Sequence, residues 1–117
     1  MYFDVLWPNS ENFIAENAIN NNSLVCKMNY KSFSILFTGD IEEIAEKQIL
    51  NKYEETGWLK STILKVAHHG SKSSSIQEFT EKVNPKIALI GVGDNNTFGH
   101  PNEDILERLE NIRSKSF

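Results

Sequence analysis

The stretch ILKVAHHGSKSSS, Ile63–Ser75, decides how this chain is read. It opens as a short apolar run of the kind that forms a buried strand, and then stops abruptly at two adjacent histidines and a glycine. A polar loop of serines follows, Ser71 to Ser75. The strand is expected over Thr62 to Ala67, with Ser74 or Ser75 capping a helix that runs through Val83. Pro85 resets the chain into a strand over Lys86 to Val92. A loop from Gly93 to Pro101 then leads into a last helix, about Asn102 to Arg113.

Working toward the N-terminus, Gly39 and Asp40 break another apolar run, Phe33 to Thr38, and a helix with apolar spacing is expected from Ile41 to Lys52. Ser23 to Tyr30 alternates apolar and polar, and Lys31–Ser32 turns it into Phe33 to Thr38, so the pair reads as a β-hairpin. Tyr2 to Trp7 reads as a strand ended by Pro8, and Asn9 to Asn22 as a loop. The order is β, β-hairpin, α, β, α, β, α: an α/β chain whose strands deliver Asp40, His68 and His100 to the loops that leave them. In α/β folds, sites gather where loops leave the C-terminal ends of strands.

Composition narrows the function without naming it. The 117 residues allow one domain. A net charge of −4 with no block of Lys/Arg removes an independent phosphate-tracking patch, so a phosphodiester substrate would need bound metal for positive charge. The single cysteine, Cys26, forms no internal disulfide and reads as a small buried hydrophobe. No apolar run is long enough to span a bilayer. The chain therefore reads as soluble, which is compatible with its being the soluble end of a longer membrane protein.

Four groups of residues can carry chemistry. In FTGD, Phe37–Asp40, the glycine lets the backbone turn and the aspartate is placed at the sheet edge, where it can bridge two divalent cations or simply cap the helix at Ile41. In HHG, neutral imidazole suits zinc or manganese. Neighbours on a strand point to opposite sides, so one of the two is expected to ligate: His68, with His69 orienting a ligand or substrate. In NNTFGHP, Asn95–Pro101, His100 is a proton donor or phosphate contact, or a helix-start histidine with no catalytic role. The run Asn20–Asn22 is expected to supply a positive-φ turn before the hairpin, with one side chain available to the site.

Together these motifs — NNNSLVCKMNY through FSILFTGD, then ILKVAHHGSKSSS, then PKIALIGVGDNN and FGHP — resemble the C-terminal half of the metallo-β-lactamase-like domain of the ComEC family of competence proteins. The resemblance runs from about Asn20 to the last helix. It implies half of an αββα sandwich, with one mixed sheet and flanking helices, and residues 1–117 forming a single partial domain that lacks the N-terminal HxHxDH half. It implies Asp40 and His68 as metal ligands, with His69 and His100 as catalytic candidates. The cofactor would be a divalent metal, zinc or manganese, at a site this chain completes only in part. The implied activity is phosphodiester or DNA hydrolysis linked to DNA uptake, in a soluble domain of a bacterial membrane protein or a cytoplasmic or secreted homologue. Two other readings stand beside it: a hydrolase of the same fold acting on another ester, and a non-catalytic half-domain that pairs with itself or with a partner supplying the missing half.

Overall fold

The computed structural model describes residues 1–10, 13–93 and 99–117. Six strands form one mixed sheet: β1 (Tyr2–Trp7), β2 (Val25–Tyr30), β3 (Phe33–Phe37), β4 (Ile63–Lys65), β5 (Ile87–Leu89) and β6 (Lys115–Ser116). They lie in chain order across the sheet. The first three pair antiparallel, and β3 to β6 pair parallel. The hairpin is the β2–β3 pair, with Tyr30 opposite Phe33 across Lys31–Ser32. Parallel neighbours need a crossover, and helices supply each one: α2 (Glu43–Tyr53), α3 (Gln77–Val83) and α4 (Glu103–Asn111). A one-turn helix, α1 (Ala18–Asn21), precedes β2. The α/β expectation therefore holds, as one mixed sheet of six strands with four α-helices among the described residues.

Alternation along the strands sorts the side chains onto two faces. Leu36, Leu64 and Ala88 stand in register across β3, β4 and β5 and are fully buried. Against them pack Ala45 and Ile49 from α2, Phe79 and Val83 from α3, and Ile105 and Leu109 from α4. Two buried hydrogen bonds pin β1 to this core: Tyr53 donates to the Leu6 carbonyl (3.1 Å), and the Trp7 indole donates to the Asn21 carbonyl (2.8 Å). A register shift between Val5 and Trp7 turns the end of β1, and Leu6 and Trp7 are both buried there.

On the other face, two further rows run across the sheet. One is Phe3, Met28, Ile35, Ile63 and Ile87; the other is Val5, Cys26, Phe37, Lys65 and Leu89. These rows are largely apolar yet have no helix over them among the described residues, with Val5 64% and Phe3 57% exposed and the central residues only partly buried. Cys26 belongs to this face and is half-buried rather than fully buried as expected. What burial it has pushes its thiol pKa up.

Several boundaries differ from the sequence reading. Asp40 does not cap α2, because the N-cap position is Glu42. Neither Ser74 nor Ser75 caps α3: the cap position is Ile76, and no side chain fills it. The Ser74 hydroxyl is turned inward to the Ile41 carbonyl (2.6 Å). Asn102 does cap α4, accepting from the Asp104 N–H at 3.0 Å. The segment expected to be loop holds α1, and the left-handed residue there is Asn17 (φ 44°), not one of Asn20–Asn22. β6 was not foreseen. Arg113 turns the chain through a left-handed backbone (φ 61°) into a strand whose sequence, SKSF, carries no apolar alternation.

Candidate functional site

The site is built where the parallel strands β3, β4 and β5 end. After β3, the left-handed Gly39 (φ 56°) packs so tightly that a Cβ there would lie 2.8 Å from Ser23 Cβ. That contact explains the glycine of the GD pair: no other residue fits the space or the backbone angle. The next residue, Asp40, donates its N–H to Ser23 Oγ at 3.2 Å. It stands half-exposed at the end of the sheet.

After β4 the strand alternation assumed for His68 and His69 does not apply. The ladder ends at Lys65, and the chain enters a single tight turn over Ala67–Gly70. Both histidines are left-handed there, at φ 50° and 57°. Such conformations cost non-glycine residues about 1–2 kcal/mol each, so the surroundings must hold them in place. The His68 N–H donates to the Gly39 carbonyl (2.9 Å), tying the β4 loop to the β3 loop. The Asn102 N–H donates to the Gly70 carbonyl (2.9 Å), tying the same turn to the start of α4. Gly70 faces Pro101 so closely that a Cβ would sit 2.7 Å from the Pro101 ring.

The outcome is that all three histidines converge. Ring centroids are 6.4 Å apart for His68 and His69, 6.0 Å for His68 and His100, and 6.4 Å for His69 and His100. The His69 and His100 rings lie nearly parallel, at 17°. His69 Nδ1 is in hydrogen-bond contact with the Gly91 carbonyl. That oxygen can only accept, so Nδ1 carries the proton and Nε2 is left as the acceptor. His68 Nδ1 is buried and 3.4 Å from Glu42 Oε2, within ion-pair range but not hydrogen-bonded. The pKa of His100 is lowered, by burial first and then by the other two imidazoles. Asn95 to Phe98 of the NNTFGHP motif lie outside the described residues.

Two glutamates missed by the sequence reading support this arrangement. Glu42 faces His68 and also accepts from the Ser73 hydroxyl (2.9 Å) and the Asn17 amide. Its own N–H donates to Asn21 Oδ1 (3.0 Å), which is how the asparagine run reaches the site. Glu46, buried within α2, accepts from the backbone N–H groups of Ser75 and Ile76. The only sequence signal for either was their place just after TGD, in a run that reads as a solvated helix face.

The donor types suit a divalent cation: imidazole, carboxylate, and a buried imidazole nitrogen lacking a hydrogen bond. The described residues nevertheless hold no group of three such side chains assembled around one point. The ring spacings agree, since two imidazoles on one tetrahedral ion at about 2.1 Å would have centroids roughly 5 Å apart.

No family model matches the chain. It is 36% identical over 110 residues to ComE operon protein 3 of Bacillus subtilis, covering 94% of this chain and 13% of that protein. It is 32% identical over 107 residues to Competence protein ComA of Neisseria gonorrhoeae, covering 92% of this chain and 15% of that protein. It is 30% identical over 114 residues to Recombination protein 2 of Haemophilus influenzae, at 97% and 14% coverage. The chain is thus similar along nearly its whole length to one small part of each of these much longer proteins.

Proposed function

We propose that this chain is the C-terminal half of a metallo-β-lactamase-like hydrolase domain, which in complete form cleaves phosphodiester bonds of DNA during DNA uptake. The observation that carries this reading is the convergence of His68, His69 and His100 from two strand-end loops, with Asp40 on the neighbouring loop whose Gly39 carbonyl accepts the His68 N–H. The relatives support the link to uptake, one of them being named a competence protein. The loss of a capping role for Asp40 removes the simplest structural explanation for that carboxylate.

In this reading Asp40 and His68 hold a divalent cation, zinc or manganese, together with ligands from residues outside this chain. Bound metal would supply positive charge for the phosphodiester and acidify a water molecule. The chain's own groups do the remaining work. Glu42 stands within ion-pair range of His68, and the Gly91 carbonyl fixes the tautomer of His69, leaving its Nε2 as the acceptor. His100, whose pKa is lowered by burial and the neighbouring imidazoles, can accept or pass a proton beside them.

The experiment uses a full-length protein that contains this domain. Asp40→Ala and His68→Ala should each abolish metal-dependent cleavage of DNA while leaving the fold intact; undiminished cleavage would overturn the assignment. A parallel panel of phosphodiester, phosphorylcholine and lactone substrates distinguishes DNA from another ester.

The open apolar sheet face favours a second reading, a half-domain whose role is to pair. Parallel strands are ordinarily covered on both faces, and here the second cover is absent among the described residues. The second half of a sandwich, or a second copy of the chain, would provide it. Light scattering on the isolated chain tests this, since a clean monomer that binds no hydrophobic dye counts against pairing.

A further inference from the structure

The loop that carries His68 and His69 contains four left-handed residues within eight positions: His68, His69, Gly70 and Ser75. Ser75 is the last of them, and its peptide groups are gripped from two sides. Its N–H and that of Ile76 donate to the two oxygens of Glu46, the latter at 2.9 Å, while its carbonyl accepts from Arg108 Nη1 at 2.9 Å. Glu46 is fully buried on α2, whose neighbouring turn receives Ser74 at the Ile41 carbonyl and offers the Glu43 N–H to the Ser73 carbonyl (2.9 Å). A buried carboxylate is costly unless its lone pairs are used. Here each oxygen takes one backbone N–H at the start of α3, where no side chain caps the helix.

We propose that Glu46 is the positioning residue of the histidine face: through Ser75 and Ile76 it clamps the His68–Ser75 loop to α2 and thereby sets where both imidazoles stand. This deepens the functional reading above, because it supplies the device that keeps two strained histidines in place, yet the clamp itself involves neither metal nor substrate. The charged groups acting on Glu46 are Arg108 from α4 and Glu43 from its own helix. Burial pushes its pKa up to about 7, and the two N–H groups pull the other way, favouring the ionised form. A protonated carboxyl turns an O–H toward one of those donors, so the clamp tightens as Glu46 ionises.

The test is amide hydrogen exchange by NMR on the intact chain and on Glu46→Gln, which keeps the shape but replaces one acceptor with an NH2 group. Protection of Ser75, Ile76, His68 and Asn102 should fall roughly tenfold or more, a loss of about 1.4 kcal/mol or more in local opening, while that of Leu36 and Leu64 stays unchanged. An equal fall at loop and strand amides would mean Glu46 is merely structural, and no fall at all would also overturn the proposal. Should the variant not fold, the wild-type chain decides. Protection factors of the loop amides should rise relative to strand amides between pH 6 and pH 8, and a flat ratio overturns the clamp. Because no metal or substrate enters, failure here leaves the hydrolase reading untouched, and failure of that reading leaves the clamp standing.

Discussion

The two faces of this sheet are built from the same strands, one residue out of step. On one face Leu36, Leu64 and Ala88 are sealed under α2, α3 and α4. On the other, the row Phe3, Met28, Ile35, Ile63 and Ile87 is at least as apolar yet has no cover among the described residues. A one-residue slip in any strand would exchange the two sets, so register here is fixed by burial on the helix face alone. The stability of the chain is therefore one-sided, whereas its composition is suited to burial on both sides. A sheet of this kind finishes its core only with a second layer.

Removing one side chain from the sealed face should cost the most. Leu36→Ala deletes fully buried methyl groups from the helix-covered row, and unfolding free energy should drop by about 2–5 kcal/mol. Chemical denaturation of the isolated chain measures it. A cost below about 1 kcal/mol would mean the helix layer is loosely packed and that the two faces differ less than their burial indicates.

The second largest effect belongs to Glu46, the one fully buried carboxylate among the described residues. Its folded-state pKa of about 7 lies above the ordinary carboxylate value of 4.5. Between those pH values the folded chain binds more protons than the unfolded one. Its contribution is therefore complete below the unfolded pKa and is lost as pH rises through about 7. The expected loss is on the order of 3 kcal/mol. Thermal melts should show Tm falling from pH 5 to pH 7.5, and Glu46→Gln should flatten that slope. The loop clamp runs in the opposite sense, tightening over the range in which global stability declines. A single bulk change in folding could not produce both trends.

The same glutamate shows where a sequence stops being legible. Glu43 and Glu46 stand three residues apart on α2. Glu43 is exposed and paired with Lys47 at 2.7 Å, whereas Glu46 is buried under α3. Nothing in the letters separates them, because the donors that make burial tolerable come from Ser75 and Ile76, about thirty residues away. The hairpin, by contrast, was legible from its period of two, and the strand ends at Asp40 and His68 from apolar runs stopped by glycine and polar residues. Those signals are local. Strand alternation does not govern His68 and His69, because the backbone there is left-handed. The serine caps fail because the Ser74 hydroxyl is turned inward to the Ile41 carbonyl and the helix begins only after Ile76.

The smallest expected effect tests the bare face directly. Val5 and Phe3 project from β1 into largely open space, so Phe3→Thr/Val5→Thr removes apolar area that is not packed in the isolated chain. Threonine keeps the β-branched shape that suits a strand, so the penalty should stay within about 1 kcal/mol. That is far below the Leu36→Ala cost, although the lost side chains are larger in sum. Binding of a hydrophobic dye, and any self-association seen by light scattering, should weaken in the same variant. If stability instead fell by as much as in Leu36→Ala, the second face would already be buried in solution, most simply against another copy of the chain. The comparison between faces would then hold for one molecule and vanish in the assembly.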